Sequence, residues 1–414
     1  MTVSLLSGKK MIEISKALRI ISRETGSLGD EKALLEDAVG RVLAENIVAD
    51  TDLPPFDRSQ MDGFAVVAAD TKNVPVKLTI VGESAAGRGW HHTIKRGQAV
   101  QIMTGAPVPA GADAVQRVEA SRESGIDEAG QLVEILEPTE TGRHIVRKGS
   151  EIKKGTRIFR PGEVVTENMI AAIASFGYAK VKVAKQPSVA ILPTGSEIVD
   201  ISKRPGRDQI RNSNSVMLDV LCQKFGSLST VFPIARDEIS HLRSEIAIAA
   251  KNADILVITG GVSVGKYDLT KAALKDLGAE IFFERVRLKP GKPTVFARLG
   301  KTLVFGLPGN PVSAATAFYL FVVKAIRQLQ KASDGTLCKG VGLSSETIRG
   351  TKERDSYVLC TMSSTPDGTT VLKPLRTTGS SDFITLGRAD CMAYVPRGKN
   401  IEKGSPAQFL VLPG

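Results

Sequence analysis

The spacing of apolar and polar residues changes several times along the 414-residue chain. Residues 9–24, KKMIEISKALRIISRE, place apolar side chains near helical spacing and predict an amphipathic helix. From about residue 52 to residue 148 the apolar residues come in short alternating pieces such as VKLTIVGE and QLVEIL, separated by Gly and Pro, which is typical of strands. Residues 166–177 return to helical spacing, with Gly177 as the expected C-cap. The pattern therefore predicts a β segment inserted between two helical segments.

A strand–helix–strand rhythm begins at residue 187. The apolar runs SVAILPT, LSTVFPIA, DILVIT and LVFGLP alternate with the helical stretches SVMLDVLCQKFG, DEISHLRSEIAIAAK and DLTKAALKDLG. Continuous apolar strands that alternate with helices predict an α/β domain with a mainly parallel sheet. Residues 311–330 form a long apolar helix with Pro311 in its first turn. Beyond Ser333, short strands such as SYVLCTM and AQFLVL predict a small C-terminal β domain.

These patterns predict a multidomain α/β plus β protein with four parts. A discontinuous helical and linker domain comprises residues 1–51 and 149–186. The inserted β domain covers residues 52–148, the α/β domain residues 187–331, and the C-terminal β domain residues 332–414.

Composition narrows the class of ligand. The net charge is +11, but no long Lys/Arg run carries it, and only one Trp and five Tyr accompany it. Nucleic-acid-binding proteins usually cluster basic residues and add stacking aromatics, so we favour an anionic small ligand over nucleic acid. No apolar run suits a signal peptide or a membrane span. The four scattered cysteines form no CxxC motif, which predicts small buried hydrophobes in a reducing cytoplasm: Cys222, Cys338, Cys360 and Cys391.

The stretch ILVITGGVSVGKYD fits two catalytic patterns almost completely. A P-loop needs Ser or Thr directly after its lysine, whereas Tyr267 occupies that position here. A nucleophile elbow at Ser263 needs a histidine downstream, and all four histidines lie upstream. The remaining interpretation is a loop in which the amides around Gly260 and Gly261 approach an anion. Asp268 then either helps to bind a cation or caps the following helix.

Other predicted strand ends carry glycines, carboxylates and lysines. In open α/β sheets the ligand binds at the carboxyl ends of the strands. Amides and lysines bind phosphate, and oxygen ligands bind Mg²⁺. The pattern therefore predicts a phosphate-bearing ligand, with a divalent cation, at Gly195, Ser196, Glu197, Asp237, Lys289 and Lys292.

Six stretches resemble the molybdopterin molybdenumtransferase family, which includes MoeA and the E domain of gephyrin. They are PPFDRSQMDGFAV, MTGAPVPAGADAV, PTGSEIV, GGVSVGKYD, KPGKP and LPGNPVSA, in the family's order. The resemblance implies four domains, with a molybdopterin-binding α/β domain and a C-terminal β-barrel. It also implies a homodimer whose active site lies between the α/β domain of one subunit and the β insert of the other.

The resemblance implies a substrate, a reaction and partners as well. The substrates are adenylylated molybdopterin and molybdate, and the products are molybdenum cofactor and AMP, with Mg²⁺ assisting. The molybdopterin adenylyltransferase and recipient molybdoenzymes are the implied protein partners, in the cytoplasm.

The resemblance also implies site residues, including Asp237 in ARDE and Ser380 in TTGSSDF. Catalytic roles fall on Asp62, Thr104, Glu197, Asp237 and Asp268. All of these except Thr104 are also expected to bind the metal. The expected ligand-binding residues are Gly195, Ser196, Gly260, Gly261, Ser263, Lys289, Lys292, Pro308, Pro311 and Ser380.

The chain departs from the family pattern at several positions, among them His144 and Ser150. Val146 and Leu359 stand where the family has arginines, Glu151 replaces an aspartate, and Arg285 replaces a lysine. Two positive charges are thus missing from a site for anions.

These departures leave three functions open. The first is an active insertase in which His144, Arg147 or Lys148 compensates for the lost charges. The second is a paralogue that binds a pterin or nucleotide ligand with weak or altered insertase activity. The third is a dimeric scaffold for protein contacts.

Overall fold

The computed structural model describes residues 11–128, 130–261, 269–335 and 337–413. The chain forms two compact units. The major unit comprises Met1–Glu45, Pro161–Ile170 and Ala179–Gly414, and the insert unit comprises Asn46–Arg160 and Ala171–Tyr178. The predicted β domain lies inside the insert unit, and the finer domain boundaries stay a prediction.

The insert unit is built on a six-stranded sheet. Alternating apolar residues of its strands, such as Leu78, Val133 and Ile135, form a buried core. In spatial order the strands are Ala114–Arg117, Gly63–Val66, Gln98–Ile102, Val76–Ser84, Gly130–Ile135 and Ser121–Asp127. Short antiparallel pairs join Ile145–Val146 to Arg58–Ser59 and Arg157–Phe159 to Ile47–Val48, and 3-10 turns cover Ala68–Thr71 and Val118–Ala120.

The α/β part of the major unit also has six strands. In spatial order they are Leu228–Val231, Ser188–Pro193, Ile255–Thr259, Thr302–Leu307, Val295–Leu299 and Glu280–Phe283. The first four strands pair in parallel, and Val295–Leu299 pairs antiparallel with both of its neighbours. The helices of this part include Ser213–Lys224, Ile239–Ala250 and Leu269–Asp276.

Both faces of this sheet are covered. Ile255 and Val257 contribute to one core, whereas Leu256 and Ile258 contribute to a second core. Burial on both faces explains why the strand reads as an uninterrupted apolar run.

The long apolar helix forms as predicted. It runs through Pro311–Ala317, a π-helical turn Phe318–Val322, and Val323–Leu329. The prediction that no apolar run suits a membrane span is wrong by length and composition, since this helix could cross one, but 83% of its apolar window is buried inside the fold. We therefore interpret it as a core helix.

Shorter helices and strand pairs lie outside the two six-stranded sheets. The first helix begins at Ile14, later than the pattern predicted, within the described residues. Gly177 follows the second helix with φ +80°, as a C-terminal glycine should. The helices are Ile14–Glu24 and Glu167–Ser175, and the strand pairs are Asp30–Leu34 with Lys180–Ala184 and Ile198–Val199 with Ile210–Arg211.

The C-terminal part is a closed five-stranded barrel. Around the ring the strands are Asp355–Ser364, Thr370–Pro374, Lys339–Ser344, Pro406–Val411 and Cys391–Val395, which pairs again with the first. Smaller elements are the strand Leu288–Lys289 beside Asp355–Ser364, the pair Ile348–Arg349 with Asn400–Ile401, and the helix Phe383–Leu386. Three cysteines are buried as predicted, but the prediction is wrong for Cys338, which is exposed.

Candidate active site

The parallel strands end side by side at one edge of the sheet. Pro193, Thr259 and Leu307 are neighbours in register. Beyond them the Thr194 amide donates to the Thr259 carbonyl at 2.9 Å, and the Gly260 amide donates to the Leu307 carbonyl at 3.2 Å. The loops that follow three strands are thus held together at this edge.

Glycine is required where the 255–259 strand ends. Gly260 has φ +95°, and a Cβ there would lie 2.3 Å from the Thr194 carbonyl oxygen. Gly261 has φ +63°, and its Cβ would lie 2.9 Å from the Thr194 hydroxyl. The backbone can therefore turn closely past its neighbour only without side chains. The predicted site residues Ser263 and Asp268 lie outside the described residues.

Two of the predicted acids flank one short backbone segment. The Ser196 amide donates to an Asp237 carboxylate oxygen at 3.1 Å. Glu197 folds back so that a Cβ on Gly195 would lie 2.5 Å from its Oε2. Glu197 also borders a small cavity of about 430 Å³ that Asp208 lines. The predicted group Gly195, Ser196, Glu197 and Asp237 is brought together.

A cavity of about 780 Å³, which we call the glycine-loop cavity, opens at this edge. Thr194, Glu197 and Gly260 line one part of it. Apolar side chains line it as well, and two of them, Ile210 and Phe383, are 61% and 54% exposed. An exposed aromatic ring beside a cavity suits a flat ring system.

Asn214 fixes two of the strand ends around the glycine-loop cavity. Its Nδ2 donates to Thr259 Oγ1 at 3.1 Å and to the Gly309 carbonyl at 2.7 Å. Asn214 itself lines the cavity, and its Oδ1 is buried and has no hydrogen-bond partner within the described ranges.

A second cavity, of about 690 Å³, is strongly cationic, and we call it the lysine cavity. Lys289, Lys292, Arg349 and Arg354 line it, and none of its described lining residues is acidic. Leu359, where an arginine was expected, forms part of its wall and is 4% exposed. This cavity is suited to an anion.

The two cavities meet at Asn310, which lines both. Asn310 Nδ2 donates to Ser380 Oγ at 2.7 Å, and the Val312 amide donates to the Ser380 carbonyl at 3.1 Å. Ser380 and Pro308 line the lysine cavity, whereas Pro311 lines the glycine-loop cavity. The structure thus brings these three predicted residues to one junction.

Asp62 and Thr104 are in direct contact within the insert unit. Asp62 Oδ1 accepts hydrogen bonds from the Thr104 amide at 2.6 Å and from the Thr104 hydroxyl at 2.9 Å. These bonds, the amide first, lower the pKa of Asp62. The contact arises because Gly63 and Ile102 pair in neighbouring antiparallel strands. Gly63 is required, since its Cβ would lie 2.0 Å from the Gln116 carbonyl oxygen.

Two of the departures from the family pattern lie next to each other in the insert unit. Val146 pairs with Arg58, whose guanidinium binds Glu151 at 3.0 Å. Glu151, which replaces the family's aspartate, is therefore ion-paired with Arg58 of the FDRSQMDG stretch. Arg285 is not among the residues that line either cavity.

The nearby cations offered as compensation are already engaged. Arg147 Nη1 binds Asp57 at 2.7 Å, and Lys148 Nζ lies 3.7 Å from Asp52. Burial and neighbouring arginines lower the pKa of His144, which keeps its ring uncharged at neutral pH. Additional positive charge in the lysine cavity comes from Arg349 and Arg354 instead.

The donor chemistry at Glu197 and Asp237 fits Mg²⁺. Within the described ranges no group of three or more His, Cys, Asp or Glu side chains could hold a metal by itself. Mg²⁺, however, often uses one or two carboxylates, with substrate phosphates and water completing its shell. Asp62 belongs to the insert unit, and Asp268 is not described. The four-acid metal set therefore stays a prediction.

Comparison with known proteins gives the family. Models of the MoeA N-terminal region (domain I and II), of a probable molybdopterin binding domain and of the MoeA C-terminal region (domain IV) match residues 12–177, 190–328 and 343–412. A molybdopterin molybdenumtransferase of Staphylococcus aureus strain COL is 32% identical, over 97% of this chain and 95% of that protein. This chain belongs to the MoeA family.

Further relatives agree with this assignment. A molybdopterin molybdenumtransferase of Bacillus subtilis strain 168 is 32% identical, over 99% of this chain and 96% of that protein. The crystal structure of a molybdopterin biosynthesis MoeA protein from Pyrococcus horikoshii OT3 superposes with a TM-score of 0.82. It is 27% identical and covers 97% of this chain and 100% of its own. The predicted MoeA resemblance and fold class are confirmed.

Proposed function

We propose that this MoeA-family protein transfers molybdenum from molybdate into adenylylated molybdopterin and releases AMP. The single observation that carries the proposal is the junction of two different cavities at Asn310. One cavity combines glycine loops with the Glu197 carboxylate, and the other is lined by cations without acids among its described residues. A phosphate-bearing ligand and a separate oxyanion can therefore be held next to each other.

The glycine-loop cavity would bind the nucleotide-bearing ligand. Gly260 lines this cavity without a side chain, so its backbone can come close to phosphate oxygens. The exposed side chains of Ile210 and Phe383, which line the same cavity, suit contact with an adenine or pterin ring. Asn214 would orient the ligand by keeping the 308–312 loop in place.

Glu197 and Asp237 would hold Mg²⁺ together with the ligand's phosphate. When bound, the ion supplies charge neutralisation for the phosphoanhydride that is cleaved. The chain's own part is to orient the two carboxylates: the Ser196 amide holds Asp237, and the backbone of the Gly195 turn leaves room for Glu197.

The lysine cavity would hold molybdate, a tetrahedral dianion. Lys289 and Lys292 supply positive charge, and Ser380 can donate its hydroxyl proton, since its Oγ already accepts from Asn310. Charge-assisted hydrogen bonds of this kind are among the stronger ones in proteins.

A homodimer with a shared site is the second part of the proposal. Asp62 and Thr104 form one contact in the insert unit, whereas Glu197 and Asp237 belong to the major unit. If each site uses both units from different subunits, mixing Asp62→Ala with Asp237→Ala protein should restore activity in heterodimers. Heterodimers that form but stay inactive would contradict a shared site.

The reaction can be tested with purified protein, adenylylated molybdopterin, molybdate and Mg²⁺. We expect AMP release and formation of active molybdenum cofactor, measured by reconstitution of a cofactor-free molybdoenzyme. Glu197→Gln should lower AMP release and weaken its dependence on Mg²⁺. Glu280→Gln is the matched control, because Glu280 is exposed on a strand of the same sheet and lines neither cavity.

The same assay separates the alternative functions. Tight ligand binding without AMP release would favour a binding paralogue with weak or altered chemistry. Absence of both binding and turnover would favour a dimeric scaffold, and either result would overturn the proposed reaction.

A further inference from the structure

A buried serine that lines the lysine cavity carries a hydroxyl with no partner in the described part of the chain. Ser356 lines the cavity and is 3% exposed, and its Oγ is buried with no hydrogen-bond partner among the described residues. An unpaired buried hydroxyl costs roughly 1–3 kcal/mol, so a ligand that accepts its proton would remove this cost.

Strand pairing sets this hydroxyl beside a cation. The strand Leu288–Lys289 runs parallel to the first residues of Asp355–Ser364, and Lys289 is the register partner of Ser356. Neighbouring strands are about 4.8 Å apart. A single small anion in the cavity can therefore contact the side chains of both Lys289 and Ser356.

Two arginines add charge to the same cavity. Among the described residues, neither Arg349 nor Arg354 has an acidic side chain within ion-pair distance. With Lys289 and Lys292 they make four cations around about 690 Å³. Like charges repel when they share a cavity, and a bound anion relieves that repulsion.

We infer that Ser356, Arg349 and Arg354 bind the tetrahedral oxyanion, and that the two arginines replace the charge missing at Leu359. Leu359 packs in the core and presents only an apolar wall to the cavity. The inference rests on the proposed function for the identity of the oxyanion, molybdate. A sulfate or a free phosphate shares the tetrahedral shape and charge class, so the experiment distinguishes these sources.

The test is equilibrium titration of the full-length protein with molybdate, sulfate and phosphate, each followed by calorimetry at low ionic strength. Molybdate should bind most tightly. Ser356→Ala and Arg354→Gln should each weaken molybdate binding by about tenfold, the size expected for one charge-assisted hydrogen bond. Arg349→Gln should weaken it less, because Arg349 is the more exposed of the two arginines.

Matched controls keep the test specific. Ser363→Ala changes an exposed serine of the same strand, and Arg243→Gln removes an exposed arginine of the 239–250 helix. Neither residue lines the cavity, so both variants should bind molybdate as the natural protein does. Arg354→Lys retains the charge and should recover part of the affinity. Circular dichroism checks that each variant is folded.

Affinities unchanged in both Ser356→Ala and Arg354→Gln would overturn the inference, as would natural protein that binds no oxyanion at millimolar concentration. Preference for phosphate over molybdate would overturn the assignment of molybdate. Because this assay needs no turnover, it is independent of AMP release. Variants that lose AMP release but keep oxyanion affinity would sink the inference and leave the proposed reaction standing. In a further outcome, the natural protein binds molybdate but releases no AMP, while Ser356→Ala and Arg354→Gln weaken that binding. This result would support the inference and refute the proposed reaction.

Discussion

Asn214 allows the glycine-loop cavity to be perturbed without removing a charge. Its amide joins Thr259 Oγ1, at a strand end, to the Gly309 carbonyl, in the loop before the long helix. We expect Asn214→Ala to loosen residues 308–312 and to weaken nucleotide binding. Asn214→Asp keeps the side-chain volume but cannot donate to the Gly309 carbonyl, so it should have a similar effect.

The magnitude follows from the two hydrogen bonds. Each contributes about 0.5–1.5 kcal/mol net, so the loss of both costs about 1–3 kcal/mol. If this energy stabilises the loop conformation that binds ligand, the Kd for AMP rises by about 5-fold to 150-fold, since 1.4 kcal/mol is tenfold. Asn214→Ala also removes the buried Oδ1, which has no partner among the residues that the structure describes, and this keeps the expected effect near the lower end.

Two measurements check this reasoning. Titration with AMP in the presence of Mg²⁺ gives the Kd, and hydrogen exchange reports the protection of amides in residues 308–312. Asn252→Ala is the control, because Asn252 is exposed and lines neither cavity. An unchanged Kd together with unchanged exchange would refute the idea that Asn214 positions the loop.

Three further changes have defined outcomes. Gly260→Ala should lower the melting temperature and abolish AMP release, because its Cβ would clash with a carbonyl oxygen; Gly278→Ala, with φ +79° and open space, should cost only about 1–2 kcal/mol. The pKa of Asp62 is lowered in the folded protein, so its carboxylate stabilises the fold at pH values above the usual pKa of about 3.9. This stabilisation is lost as the pH falls through the pKa of the folded state, and NMR titration of the carboxyl carbon measures that pKa. Leu359→Arg should destabilise the protein by about 1.5–3 kcal/mol, from lost burial, without improving molybdate binding in the titration described above.

The fold was predictable wherever one pattern dominated. The fully buried 255–259 strand reads as an apolar run, and the strands of the insert alternate. The antiparallel strand Val295–Leu299 was missed, although Gly300 and Lys301 separate it from Thr302–Leu307 by a two-residue turn. Gly300 occupies the first central position of this turn, with φ +59°. A glycine at that position is a hairpin signal that can be read from the sequence. The strand was missed because the alternation of strands and helices predicted a helical connection between neighbouring strands rather than a hairpin.

The candidate site was only partly predictable. Glycines and acids that directly follow strands were found, because their place at the sheet edge is fixed by the strand itself. Ser356 and Arg354 were missed, since they come from the barrel and reach Lys289 only through a strand pairing that spans more than sixty residues. No local spacing encodes such a contact. Asn214 was missed because it lies in the first turn of a helix, where an asparagine usually indicates only capping.

The placement of charge around the lysine cavity has a consequence for how the site tolerates substitution. A cation acts on an oxyanion over distances comparable to the Debye length of about 8–10 Å, so Arg354 can serve although it stands five residues before Leu359. A hydroxyl acts only within hydrogen-bond distance, and the register with Lys289 places Ser356 at one position. The residue that supplies positive charge can therefore change from one position to a nearby one as sequences diverge. The residue that supplies the hydroxyl donor cannot. For this reason Arg354→Lys should be tolerated far better than Ser356→Ala, even though the arginine carries the charge.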